Sequence, residues 1–87
     1  MRRNDLDICA DILRVTRNGA KKTHIVYKAN LNFSMIKGYL GRLIGKGLLA
    51  HQGDHYTATD RGISWLSRYD DLAYDSAMSP EAVAFIV

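Results

Sequence analysis

The 87-residue sequence has one cysteine and one proline, and it has no long apolar run. A lone Cys9 cannot close an internal disulfide and gives no zinc-ligand spacing. The three histidines, His24, His51 and His55, likewise have no partners at metal-ligand spacing. Neither a metal nor a cofactor is expected. No stretch approaches the ~20 apolar residues of a membrane helix, and the first residues lack the apolar core of a secretory leader. The expectation is a soluble cytoplasmic chain with no membrane partner. Catalytic signatures are missing as well. There is no glycine-rich phosphate loop after a strand, no Gly-x-Ser-x-Gly and no His-Glu-x-x-His. No catalytic residue is expected, and the chain does not read as an enzyme.

What is present is a globular composition, 47% hydrophobic and 24% charged, with an uneven distribution of charge. Residues 1–46 carry ten Lys/Arg against Asp5, Asp7 and Asp11, a net of +7. Residues 47–87 carry Arg61 and Arg68 against five Asp and Glu81, a net of −4. A basic half joined to an acidic half gives one small domain a polyanion-facing side.

The periodicity predicts a mainly α fold with a small β-hairpin. Asn4 or Asp5 caps a first helix whose stripe is Ile8, Cys9, Ile12, Leu13 and Thr16, with Asn18-Gly19 as its stop. On that stripe Cys9 reads as core, not as a nucleophile. Thr23 is the expected cap of a short second helix over 23–29 that buries Ile25, Val26 and Ala29. After a turn at Asn30-Leu31-Asn32, Asn32 caps a third helix from Phe33 to Lys46, with Leu31 and Ile36 spaced as a hydrophobic staple. Its expected buried stripe is Phe33, Ile36, Leu40, Leu43 and Ile44. Gly47 ends it, Gly53-Asp54 turns a hairpin between Leu48–Gln52 and His55–Thr57, and Thr59 caps a fourth helix. Ser79-Pro80-Glu81 reads as a further capped start ahead of the apolar tail Ala82–Val87. Helix, helix, helix, hairpin, helix is the order of a winged helix-turn-helix.

The run Gly19-Ala20-Lys21-Lys22-Thr23-His24-Ile25-Val26-Tyr27-Lys28-Ala29-Asn30-Leu31 resembles a signature of archaeal winged-helix DNA-binding proteins. Tyr39-Leu40 with Leu43, Lys46-Gly47-Leu48-Leu49 and Tyr56-Thr57-Ala58-Thr59-Asp60-Arg61-Gly62 with Leu66 fit the same pattern. The resemblance covers roughly residues 8 to 70. It implies a winged helix that binds double-stranded DNA, as small regulators and chromatin-like, nucleoid-associated proteins do, and a C-terminal helix that dimerises as an antiparallel coiled coil. Residues 1–59 would form the DNA-binding domain, and residues 60–87 the dimerisation helix and tail. Two features depart from the pattern. Ser34, Gly38, Gly41 and Gly45 stand on the outer face of helix 3, where the family places charged or bulky side chains. Pro80 also interrupts the long C-terminal helix after ~19 residues, or ~28 Å.

The expected DNA face comprises Lys21, Lys22, Thr23, Tyr27, Lys28, Ser34, Lys37, Gly38, Arg42 and Lys46. Arg42 suits a bidentate base contact, and the lysines suit phosphates, with hydroxyls from Thr23 and Tyr27. The hairpin is ambiguous. His51, Gln52 and His55 are placed to touch DNA, but Asp54 at the tip would repel it, which favours a structural hairpin. Arg2 and Arg3 form either a minor-groove arm or a frayed terminus. On helix 4, Trp65, Tyr69 and Leu72 form a second apolar stripe beside the core-facing stripe of Ile63, Leu66, Ala73 and Ala77, and read as a homodimer seam. The rival cover for that stripe is the tail. The rival function is a protein-docking module that uses the apolar C-terminal segment and the glycine-lined helix.

Overall fold

The computed structural model describes the backbone of residues 4–78 and the side chains of residues 4–72. Arg2 and Arg3, read as an arm or a frayed terminus, the start at Ser79-Pro80-Glu81 and the tail Ala82–Val87 lie outside them, as do the side chains of Ala73 and Ala77. Four helices, α1 (Asp5–Val15), α2 (Lys22–Lys28), α3 (Phe33–Gly45) and α4 (Asp60–Met78), surround a small antiparallel sheet. The sheet has three strands, β1 (Ala20–Lys21), β2 (Leu49–Gln52) and β3 (His55–Ala58), in the order β1-β3-β2. The fold is a winged helix.

Local chemistry sets each boundary. Asn4, not Asp5, caps α1, in a reciprocal box: Asp7 N donates to Asn4 Oδ1 at 2.8 Å and Asn4 N to Asp7 Oδ2 at 3.2 Å. Asn32 caps α3 by accepting from Met35 N at 2.9 Å, and Thr59 caps α4 by accepting from Gly62 N at 3.0 Å. Gly47, at φ +76°, closes α3 with paired bonds: Leu48 N donates to Leu43 O and Gly47 N to Ile44 O, both at 3.0 Å. Gly53, at φ +61°, opens the two-residue wing turn.

Two expectations need correction and a third an addition. Thr23 does not cap α2. The chain arrives as a strand, Lys21 is extended at φ −77° and ψ 157°, and Lys22 is already helical, so Thr23 lies exposed inside the first turn. The two-stranded wing hairpin forms as expected, but its sheet has a further strand: Ala20 and Lys21 pair with Tyr56 and His55. Finally, Phe33 and Ile44 are exposed, at 58% and 39%, while Tyr39 is buried at 8%. Tyr39 belongs inside because its hydroxyl has a partner, donating to Asp5 Oδ1 at 2.6 Å. Its burial moves the centre of the buried arc away from Phe33 and Ile44.

One core unites the elements. Ile12, Leu13, Ile25, Ile36, Leu43 and Leu66 are almost fully buried, so the first half of α4 shares the core of the helix-turn-helix. Thr16 is the buried polar residue among them. Its hydroxyl donates to Ile12 O at 2.9 Å, and its carbonyl accepts from Gly19 N at 3.0 Å and Ala58 N at 2.9 Å. Its polar groups are therefore satisfied, as burial demands.

Candidate nucleic-acid interface

With Ile36, Tyr39, Leu40 and Leu43 turned inward, the outward line of α3 runs through Ser34, Gly38, Gly41 and Gly45, all exposed. A Cβ added at Gly38, Gly41 or Gly45 meets nothing within 4 Å. Packing among the described residues therefore does not require these glycines. Ser34, the polar member of the line, donates its hydroxyl to Asn32 Oδ1 at 2.6 Å. The centre of this face is bare backbone, with cations along its edges.

Lys37 lies exposed on one edge and Arg42 on the other, with Lys46 at the C-terminal end. Arg42 is held toward α1: its guanidinium lies 4.7 Å from the centre of the Tyr39 ring, and Nη1 is 3.8 Å from Asp5 Oδ2. Asp5 thus accepts from Tyr39 and faces Arg42 together, and its hydrogen bond raises the Tyr39 hydroxyl pKa above the ordinary tyrosine value. On α2, Tyr27 is 80% exposed beside exposed Lys28, while Thr23 is exposed and Lys22 half-buried. Lys21, on β1, lies 3.6 Å from Asp54 Oδ2. Lys22, Lys28, Lys37 and Lys46 form no ion pair among the described residues.

Nine of the ten expected DNA-facing residues lie on β1, α2 and α3, the tenth, Lys46, directly follows α3, and all but Lys22 are exposed. Two histidines join them at the wing. His24 and His55 share an open hollow with Gly19, Ala20, Lys21 and Thr23. Strand β1 creates this proximity, and a two-residue strand leaves no periodicity in a sequence. His51, by contrast, is stacked on Tyr56 at 4.2 Å, so the wing also packs on itself.

Away from this face, Trp65 and Tyr69 are half-buried against the core and stack at 5.5 Å. Leu72 is 45% exposed. Together with Arg68 and Leu6, which is 56% exposed, they line a second hollow. Leu6 falls off the apolar stripe of α1, so periodicity gives no signal for it. Cys9 is half-buried on that stripe, and burial pushes its thiol pKa up against the pull of Arg42 and Lys46. Among the described residues, no three His, Cys, Asp or Glu side chains gather as a metal site requires, and no helix is long and apolar enough to cross a membrane.

Comparison with known proteins places this geometry. Residues 2–75 match the family model for the winged helix-turn-helix. Sso10a-2, a DNA-binding protein from Sulfolobus solfataricus, has a similar solved structure. The two share a TM-score of 0.73 at 23% identity, over 98% of this chain and 97% of that one. This is a likeness of fold, and it extends through α4. No curated protein matches the sequence.

Proposed function

The chain belongs to the winged helix-turn-helix family, and from that premise we propose that it is a double-stranded DNA-binding regulator of transcription with α3 in the major groove. The carrying observation is the outer face of α3, open backbone edged by Lys37, Arg42 and Lys46, with Lys22 and Lys28 on the neighbouring helix. Lys22, Lys28, Lys37 and Lys46, which form no ion pair among the described residues, gather on one side of a small domain and suit a phosphate backbone. A major groove ~12 Å wide admits a helix, and glycine lets that helix approach closely. Sso10a-2, which shares the fold, is a DNA-binding protein. In this reading Lys21, Lys22, Lys28, Lys37 and Lys46 hold phosphates with Thr23 and Tyr27, and Arg42 leaves Tyr39 to reach a base edge. The role is non-enzymatic.

Binding to a random-sequence duplex across a salt series tests the proposal. Five or six phosphate contacts give a slope of log affinity against log salt of about −5. A folded protein that binds no duplex at low salt refutes it. Tight, salt-insensitive capture of a protein through the apolar surface would support the docking module instead.

Residues 60–87 are assigned to a homodimer. Trp65, Tyr69 and Leu72, spaced by four and three, form an apolar seam that Leu6 extends. A two-fold pair also lets two copies of α3 address half-sites about 34 Å apart.

A further inference from the structure

Strand β1 joins the wing to the start of α2. In its register with β3, Lys21 lies directly across from His55, and side chains of such a cross-strand pair share one side of the sheet. The carboxylate of Asp54, at the wing tip, bridges them. One oxygen is 2.7 Å from His55 Nδ1 and the other 3.6 Å from Lys21 Nζ. Beside this bridge lies the hollow lined by Gly19, Ala20, Lys21, Thr23, His24 and His55, with no carboxylate in its lining.

We propose that this junction is a phosphodiester-binding site whose donors are occupied in the free protein by the carboxylate of Asp54, which a DNA phosphate displaces. The inference rests on the DNA-binding reading above and adds a site and an internal competitor to it. Asp54 presents two oxygens to Lys21 and His55, as the non-bridging oxygens of a phosphodiester would. The position therefore already holds an anion. Thr23 and His24 line the adjoining space and complete a set of donors around a phosphate.

The exchange is favourable because the internal pair is weak. The side chains of Lys21, His55 and Asp54 are all more than half exposed, and ion pairs in that setting contribute little and are screened by salt. A duplex phosphate brings its condensed counterions and releases them on contact, a gain that Asp54 cannot supply. The hydrogen bond from His55 also keeps the Asp54 carboxyl pKa below the usual aspartate value, so the competitor stays ionised. The wing thus tempers affinity for every duplex alike.

Asp54→Asn removes the charge and keeps a residue suited to the turn. The test is fluorescence anisotropy of a labelled random duplex with the wild type, Asp54→Asn, Lys21→Ala/His55→Ala and the triple variant. Asp54→Asn should tighten binding about three- to tenfold. In the Lys21→Ala/His55→Ala background the same change should alter affinity by less than about twofold. A gain that persists there means Asp54 acts only through its general field, and overturns the site. No gain, or a loss, overturns it too. Titration of 15N-labelled protein with inorganic phosphate is the second arm. Larger amide shifts at Lys21, Thr23, His24 and His55 in Asp54→Asn than in the wild type are expected, and shifts elsewhere count against the site. If the wild type binds no duplex the DNA reading fails first, whereas duplex binding indifferent to Asp54 fails this inference alone.

Discussion

Gly62 is the most tightly packed of the glycines. A Cβ built there lies 2.0 Å from the carbonyl oxygen of Leu48, 3.0 Å from its carbon and 3.3 Å from Leu13 Cδ2. Two of these three atoms are backbone, which cannot swing aside, and the Leu48 carbonyl is already fixed by Thr59 N at 3.0 Å. Gly62→Ala should therefore cost about 3 kcal/mol, at the upper end of overpacking, despite the better helix propensity of alanine. Urea unfolding measures it, and an unchanged midpoint would contradict the contact. The resemblance quotes Gly62 within a run of matched residues, but only the fold gives the physical reason for it. Arg42 teaches the same lesson. Its type points to a base contact, whereas its place over Tyr39 and near Asp5 depends on the start of α1 lying beside α3, which no local pattern encodes.

At the scale of elements, α3 carries glycines against which none of the described residues packs. Gly38→Ala with Gly41→Ala should stabilise the fold, about 1 kcal/mol each and a rise in Tm of about 4–8 °C per site. The same pair should weaken duplex binding, because two methyl groups then stand between the helix backbone and the groove. Calorimetry and anisotropy on one preparation check both halves, and a gain in stability with unchanged affinity would remove the close-approach argument. Two cations separate the roles on this face. Arg42→Ala should lose discrimination worth about 1–3 kcal/mol at one base pair, while Lys28→Ala should weaken all duplexes equally and flatten the salt slope by about one. Competition between defined duplexes reads both. Most elements were legible in the sequence because caps are local: Asn32, Gly47 and Thr59 each act within a few residues of themselves. What escaped was non-local. Strand β1 exists only because β3 lies beside it, and that one pairing removed Thr23 from its expected cap and brought Lys21 to His55.

At the scale of the whole molecule, the question is what the outer side of α4 faces. Leu66 faces the domain core, while Trp65, Tyr69, Leu72 and Leu6 remain partly or largely in solvent. The expectation is a dimer by sedimentation equilibrium at micromolar concentration. Trp65→Ala with Leu72→Ala should shift it to monomer, while near-native circular dichroism shows that the fold survives. A monomeric wild type refutes the dimer, and a dimer indifferent to both substitutions refutes this seam. The apolar stripe was visible in the sequence as an arc too wide for one core. Leu6 was not, because it joins the stripe only where α1 and α4 pack.

The carbonyl of Thr16 gives the molecule a clock. It accepts from Gly19, its near neighbour, and from Ala58, at the base of the wing. Ala58 also pairs with Leu49 across the sheet. Freeing the Ala58 amide therefore requires the end of α1 and the base of the wing to part together, an event that exposes the buried Thr16 and the core beside it. In deuterated water that amide should exchange only at the slow rate of whole-domain unfolding. Amides at the Gly53-Asp54 tip should exchange far sooner. If Ala58 exchanges as quickly as the tip, the wing opens as a separate unit and the Thr16 bond does not bind its timing to that of the helices.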